Sequence, residues 1–153
     1  MTELESDSPE ETERLAACVA ATLVPGDVVL VQGELGSGKT TFVRGAARAL
    51  GVEGPVTSPT YTIGHRYRGR VDVSHLDLYR FEGMSHAEWG DVEEYFEDAV
   101  VFVEWPRAGA GFLPPEKARV SLQHVGETRR LIVLESDEKS LENSIFIGAD
   151  PRV

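Results

Sequence analysis

The chain has 153 residues, a formal net charge of −11 at pH 7 and a hydrophobic content of 41%. These values fit one globular domain with a sizeable core, and they exclude a disordered chain and a membrane protein, because no run approaches the ~18 apolar residues that a span requires. An acidic surface repels phosphate backbones, so we expect no direct high-affinity binding of nucleic acid by this chain.

The N-terminal region predicts a cytoplasmic protein whose first regular element is a helix. Residues 1–7 are acidic and lack the basic start and apolar stretch of a signal peptide, and the single cysteine, Cys18, cannot form an internal disulfide. Ser8 opens a capping-box pattern, and apolar residues then repeat every four positions, which predicts a helix over 9–23. An apolar run over 26–32 predicts a buried strand.

Residues 33–40 read Gly-Glu-Leu-Gly-Ser-Gly-Lys-Thr and match the phosphate-binding P-loop pattern. In such a loop, backbone N–H groups surround phosphate oxygens, Lys39 reaches the β- and γ-phosphates, and the Thr40 hydroxyl binds Mg²⁺. Helical spacing over 41–50 follows, and Gly51 ends it. The alternative is a glycine-rich turn without a ligand. The order of strand, loop and helix favours the P-loop.

Residues 54–60 are rich in prolines and hydroxyl residues, so no regular element is predicted there. Many nucleotide hydrolases have their first switch at this position, where a hydroxyl senses the γ-phosphate. An ordinary connecting loop is the alternative. The following residues predict strands over 61–67 and 70–79, an acidic helix over 85–96, a buried strand over 99–103, a loop over 107–115, and a closing hairpin of 119–124 with 129–135.

Together these elements predict an α/β fold, a single P-loop NTPase-like domain of three layers with a central mixed β-sheet flanked by helices. The predicted domain covers residues 1–136. Residues 137–153 are predicted to form a C-terminal tail that is either frayed or holds a short helix.

Two carboxylates are placed where strands end, as the chemistry of a P-loop enzyme requires. Glu104 follows a buried apolar run that resembles a Walker B strand. Asp77 lies near the end of the preceding predicted strand, over 70–79. We expect both to face bound Mg²⁺. Alternatively, Glu104 merely leaves the sheet and Asp77 caps a loop. Trp105 would pack on the nucleotide, on a partner or, as is more common, against the core.

The chain has no Asn-Lys-x-Asp motif for guanine, which favours ATP over GTP. Four motifs then resemble the TsaE (YjeE) family in order and spacing: the P-loop with its extension to Gly45, Ser58-Pro-Thr-Tyr-Thr62, His75-Leu-Asp-Leu-Tyr-Arg80 and Glu104-Trp-Pro106. The resemblance implies a small bacterial ATPase that converts ATP to ADP and phosphate. It implies a role in forming N6-threonylcarbamoyladenosine beside the anticodon of tRNAs that read ANN codons, by docking on the TsaD–TsaB complex and resetting it between turnovers.

The resemblance also implies roles for individual residues. The catalytic residues would be Lys39, Asp77 and Glu104, and the Mg²⁺ ligands Thr40, Asp77 and Glu104. The residues that bind ATP or ADP would be Gly33, Glu34, Leu35, Gly36, Ser37, Gly38, Lys39, Thr40, Thr41, Thr60, Trp105, Thr12 and Arg129.

Two other functions fit the residues: a small-molecule kinase, and a nucleotide-sensing binding module without a catalytic role. A kinase needs an acceptor pocket and an arginine-bearing lid, and the sequence contains no convincing lid. The sequence also has no obvious arginine finger, although Arg80 and Arg107 are candidates. We therefore expect slow ATP hydrolysis by the isolated chain and stimulation by partners.

Overall fold

Strands and helices alternate along most of the chain. A computed structural model describes residues 1–59, 62–139 and 141–143. In chain order the elements are β1 (Thr2–Ser6), α1 (Pro9–Ala20), β2 (Val28–Gly33), α2 (Lys39–Ala49), β3 (Gly64–Tyr67), β4 (Asp72–Asp77), α3 (His86–Val92), β5 (Ala99–Glu104), β6 (Ala118–His124) and β7 (Arg130–Glu135), with 3-10 helices at Glu93–Phe96 and Pro106–Gly109.

The strands form one mixed sheet in the order β1-β7-β6-β2-β5-β4-β3. The four central strands β6, β2, β5 and β4 are parallel, and the outer strands β7, β1 and β3 are antiparallel to their neighbours. Parallel strands bring their carboxyl ends to one edge of a sheet, which is where ligands bind in open α/β folds. The P-loop, Asp77 and Glu104 all lie at this edge.

Each face of the sheet covers its own apolar core, which gives the predicted three layers. On one face, α1 and α2 pack over the inward side chains of β2, β4, β5 and β6, and Phe42 of α2 and Phe102 of β5 belong to this core. On the other face, a second core contains Leu76, Val101 and Val103. Alternation along β4 and β5 sends neighbouring residues to opposite faces, so His75, Asp77 and Glu104 share the face that carries α2.

Helices α1 and α2 pack at close range because a glycine lies at their contact. A Cβ atom built on Gly45 of α2 would collide with the backbone of Glu13 in α1. The capping box predicted for α1 is in part present, since the Ser8 side chain accepts a hydrogen bond of 3.1 Å from the N–H of Glu11. α1 ends at Ala20 rather than residue 23, because the N–H groups of Thr22 and Leu23 bond to carbonyl oxygens three residues back instead of four.

Some predicted boundaries differ from the structure. The predicted helix over 85–96 is α3 followed by a 3-10 helix, and the predicted loop over 107–115 begins within another 3-10 turn. β1 was not predicted. Its acidic, weakly apolar sequence becomes a strand by pairing with all five facing positions of β7, from Leu134 to Arg130.

In the predicted tail, Leu141 is fully buried in the core under α1 and α2. Within the described parts of the chain, no helix is both long and apolar enough to cross a membrane.

Candidate functional site

The loop between β2 and α2 exposes an uncapped helix N-terminus. Gly36 and Gly38 adopt φ values of 75° and 106°, which glycine permits without strain. Gly38 is the N-cap of α2 and supplies no side-chain hydrogen bond, whereas Ser8 and Ser85 cap α1 and α3 with their hydroxyl groups. The first N–H groups of α2 have no partner within the helix and carry its positive dipole end. This arrangement favours an anion.

Lys39 begins α2 and bends back over the loop that precedes it. Its Nζ donates hydrogen bonds to the carbonyl oxygens of Gly33 and Glu34, at 2.6 and 3.0 Å. The same ammonium group lies 4.6 Å from the centre of the Trp105 ring, a cation–π contact. Burial lowers the pKa of Lys39, and the negative charges of Glu104 and Asp77 oppose that change.

Asp77 and Glu104 occupy paired positions where β4 and β5 end. Glu104 is also opposite Val31 of β2, two residues before Gly33, so both carboxylates lie beside the loop. Burial raises the pKa of Asp77, and the nearby charge of Glu104 raises it further. The N–H of Tyr79 donates a hydrogen bond of 2.9 Å to Oδ1 of Asp77, which lowers the pKa. Glu104 is buried with 3% of its surface exposed, and its Oε2 is hydrogen-bonded to Nε2 of His75.

These groups surround a cavity of about 500 Å³, a volume typical of ligand sites. The backbone of Trp105 is in the left-handed region, with φ 52° and ψ 57°. The centre of its ring lies 5.1 Å from the centre of the Tyr79 ring. The two rings form an aromatic wall opposite the loop. The lining residues are Leu35, Gly36, Gly38, Lys39, Thr40, Thr41, Ser58, Asp77, Tyr79, Glu104 and Trp105.

A smaller cavity of about 180 Å³ lies on the other side of the loop, between α1 and the β6–β7 hairpin. Gly36, Gly38 and Thr41 line both cavities, so the two adjoin across the start of α2. Thr12 also lines the smaller cavity, and its hydroxyl group is hydrogen-bonded to that of Ser6 at 2.6 Å. A ligand with an anionic end at the start of α2 could therefore contact both cavities.

The segment after α2 is fixed at two consecutive residues. Arg44 of α2 donates to the carbonyl oxygen of Val56 at 3.1 Å. The Tyr67 hydroxyl group accepts from the N–H of Thr57 at 3.2 Å and donates to its carbonyl oxygen at 3.3 Å. These bonds bring Ser58 to the mouth of the larger cavity.

The oxygen donors at the larger cavity fit Mg²⁺. Thr40 offers a hydroxyl oxygen, and Asp77 and Glu104 offer carboxylate oxygens, which are the ligands that Mg²⁺ prefers. Among the described residues, no group of three or more His, Cys, Asp or Glu side chains is arranged to hold a metal ion. Two carboxylates and one hydroxyl group would leave coordination positions of Mg²⁺ for other oxygen ligands, such as water.

A family model matches residues 6–132 of this chain, and its description is "Threonylcarbamoyl adenosine biosynthesis protein TsaE". The match extends from the end of β1 into β7 and therefore includes the loop, both carboxylates and both cavities. The chain belongs to the TsaE family.

Relatives and a solved structure agree with this family. The tRNA threonylcarbamoyladenosine biosynthesis protein TsaE of Bacillus subtilis (strain 168) is 40% identical over 127 residues, which are 82% of this chain and 79% of the relative. The protein of the same name from Treponema pallidum (strain Nichols) is 35% identical over 84% of this chain and 96% of its own. A crystal structure of Bacillus subtilis YdiB superposes with a TM-score of 0.77 and 31% identity, and covers 97% of this chain and 93% of that one.

In this TsaE-family chain, the structure brings most of the predicted site residues together. The loop from Gly33 to Thr40, with Thr41, Asp77, Glu104 and Trp105, lies at one edge of the sheet, and Thr12 lines the adjoining cavity. Thr60 lies outside the described residues, so its predicted role stays a prediction.

The arginine predicted to bind the nucleotide was Arg129, but the arginine that contacts the loop is the next residue, Arg130. Arg129 pairs with Asp7 at 3.3 Å, and both side chains are largely exposed. Arg130 instead donates to the carbonyl oxygens of Ser37 and Gly36, at 3.1 and 3.4 Å, and lines the smaller cavity. Arg129 directly precedes β7 and Arg130 is its first residue, and the two side chains contact different parts of the chain. His75 and Tyr79 were also not predicted as site residues, although both lie within the His75–Arg80 motif.

Proposed function

We propose that this TsaE-family chain hydrolyses Mg-ATP to ADP and phosphate in the cytoplasm, as part of the formation of threonylcarbamoyladenosine in tRNA. The observation that carries the proposal is that Asp77 and Glu104 line the same cavity as the uncapped N-terminus of α2. One side of this cavity suits phosphate oxygens, and the other suits the metal ion that accompanies them.

The triphosphate would bind along the loop and the first turn of α2. Lys39 would exchange its bonds to two loop carbonyl oxygens for bonds to the β- and γ-phosphates. The nucleoside would extend past Gly38 into the smaller cavity, where Thr12 and the β6–β7 hairpin form the walls. Arg130 supports this path because it holds the carbonyl oxygens of the loop from outside.

Thr40, Glu104 and Asp77 would hold Mg²⁺, which when bound neutralises charge that develops on the γ-phosphate and on the leaving ADP. Asp77 would also orient the attacking water and accept its proton. Burial raises the pKa of this carboxyl group in the metal-free chain, and the positive charge of a bound Mg²⁺ would oppose that change. The aromatic wall of Tyr79 and Trp105 would limit access of other water molecules to the reaction.

We infer that the chain works while docked on TsaD–TsaB. The family assignment and the names of the relatives support a role in the same biosynthesis. The larger cavity is open, and Leu35 and Tyr79 at its mouth are 76% and 62% exposed. A partner that closes this opening with an arginine would typically accelerate phosphoryl transfer by ~10³–10⁵.

The direct test is phosphate release from ATP by the wild-type chain, with and without TsaD–TsaB, beside Lys39→Ala. We expect slow release alone, faster release with the partners, and almost none from the variant. Equal rates with and without the partners would contradict docking-dependent hydrolysis. A Lys39→Ala chain that binds and splits ATP normally would refute the site.

A second variant separates hydrolysis from binding. Glu104→Gln removes one negative charge and keeps the size of the side chain, so we expect it to bind nucleotide and to join the partners while tRNA modification fails. If modification proceeds normally, the chain acts as a nucleotide-sensing module. Transfer of the labelled γ-phosphate to a small molecule rather than to water would identify a kinase.

A further inference from the structure

A fully buried histidine contacts Glu104 and has no role in the steps above. His75 lies on β4, and its register partner on β5 is Phe102, two residues before Glu104. Its side chain is 0% exposed, and that of Glu104 is 4% exposed. Nε2 of the ring is hydrogen-bonded to Oε2 of the carboxylate.

The direction of this bond follows from the two groups. Because a carboxylate that binds a metal ion is ionised and only accepts hydrogen bonds, we assign the donor role in this bond to Nε2 of His75. The other ring nitrogen, Nδ1, is buried and has no hydrogen-bond partner among the described residues. Buried polar groups are normally satisfied. The bond to Glu104 is therefore the only hydrogen bond that the ring makes within the described chain.

The bond also distinguishes the two oxygens of Glu104. Oε2 is occupied by His75, whereas Oε1 forms no hydrogen bond within the described chain. A glutamate side chain has three rotatable bonds, and a hydrogen bond from a rigid, fully enclosed ring restricts them. His75 thereby holds Oε2, and the same Glu104 side chain lines the larger cavity.

We propose that His75 is a positioning residue that fixes the carboxylate of Glu104 for metal binding. The inference rests on the proposed function, because it assigns Glu104 to Mg²⁺. Groups that orient a metal ligand in this way typically affect metal affinity or activity by ~10–100-fold when they are replaced.

Three substitutions at one position test the hydrogen bond itself. His75→Gln places an amide N–H about where Nε2 lies, His75→Asn carries the same amide but is one bond shorter, and His75→Leu fills the space without a donor. His86→Gln is the matched control, because His86 is exposed on α3 and contacts Phe112 instead of the site. The readouts are Mn²⁺ affinity with bound ADP by electron paramagnetic resonance, ADP affinity without metal, and kcat and KM for ATP.

We expect the Leu and Asn variants to bind Mn²⁺ ~10–100-fold more weakly and to lose a similar factor in kcat. ADP affinity without metal should stay unchanged, and His75→Gln should recover most of the Mn²⁺ affinity. A general loss of structure would instead lower ADP affinity and the thermal midpoint together. If His75→Leu does not fold, the Asn and Gln variants decide the question, since both are amides and differ in reach.

Wild-type Mn²⁺ affinity in a folded Asn or Leu variant would overturn the proposal, as would a Gln variant as weak as the Asn variant. Both outcomes leave ATP hydrolysis by the wild-type chain intact. A wild-type chain that binds neither ADP nor Mn²⁺ would overturn the proposed function, and the positioning role with it. The two failures are therefore distinguishable.

Discussion

Nε of Arg130 donates a hydrogen bond of 3.1 Å to the backbone carbonyl oxygen of Ser37. The bond joins the β6–β7 hairpin to the loop in front of α2, and a second bond to Gly36 strengthens the connection. The conformation of the loop is thus stabilised by a side chain that lies more than ninety positions away in the sequence.

Arg130→Ala should therefore weaken ATP binding by about tenfold or more, as expected for lost hydrogen bonds from a charged donor. Arg129→Ala is the matched control, because within the described part of the chain the Arg129 side chain has only an exposed ion pair with Asp7, and such pairs contribute little. Calorimetric titration with ATP measures the affinity of both variants, and we expect the larger loss in Arg130→Ala. A larger loss with Arg129→Ala would assign the nucleotide contact to Arg129, as the family resemblance suggests.

Lys39→Ala should lower kcat/KM for ATP by about 100-fold or more, in line with the loss of a charged group that stabilises the transition state. Lys139→Ala removes an equal charge from an exposed position outside the site and should leave kcat/KM near that of the wild-type chain. Phosphate release measured over a range of ATP concentrations compares the two. Equal losses would show that net charge, rather than the position of Lys39, controls the rate.

Asp77→Asn should stabilise the metal-free fold at neutral pH. Burial raises the pKa of Asp77, and a carboxyl group of this kind stabilises the folded chain only while it is protonated. Its contribution is complete below the unfolded pKa, about 3.9, and is lost as the pH rises through the raised folded value. Asparagine does not ionise, so it avoids this loss.

Urea unfolding in the presence of EDTA measures the effect. The midpoint difference between Asp77→Asn and the wild-type chain should be positive near neutral pH and should shrink as the pH falls toward about 4. The same variant should lose ATP hydrolysis. A midpoint difference that does not change with pH would contradict the assigned burial of the charge.

Gly45→Ala and Gly90→Ala should change stability in opposite directions. A Cβ on Gly45 would collide with the backbone of Glu13, and overpacking of this kind typically costs ~1–3 kcal/mol. A Cβ on Gly90 in α3 meets no atom within 4 Å, so alanine should stabilise the fold by up to ~1 kcal/mol through its helix propensity. Thermal unfolding of both variants provides the comparison, and destabilisation by both would contradict it.

The sequence predicted the elements that are defined by local patterns. The P-loop, both carboxylates and the core strands were recognisable because glycine spacing and apolar runs are visible within short windows. β1 was not, since its acidic sequence has little strand character of its own and pairs with residues about 130 positions later. Its stability comes from tertiary contacts, which no local pattern contains.

The site residues that were not predicted depend on orientation. Whether Arg129 or Arg130 faces the loop depends on where β7 begins and how it pairs with β6, and neither is visible in the local sequence. His75 lies in a strand next to apolar residues, where a core histidine and a positioning histidine have the same sequence pattern. The distinction appears only when β4 and β5 are aligned and Nε2 meets Glu104.

The bonds of Arg44 to Val56 and of Tyr67 to Thr57 connect α2 to β3 at the edge of the sheet. Because the backbone is secured at Thr57, any closure of Ser58 over a bound ligand must pivot beyond that residue. A shift of α2 would move Val56 through the hydrogen bond from Arg44. A movement at the start of α2 would therefore also change the position of Ser58 at the mouth of the larger cavity.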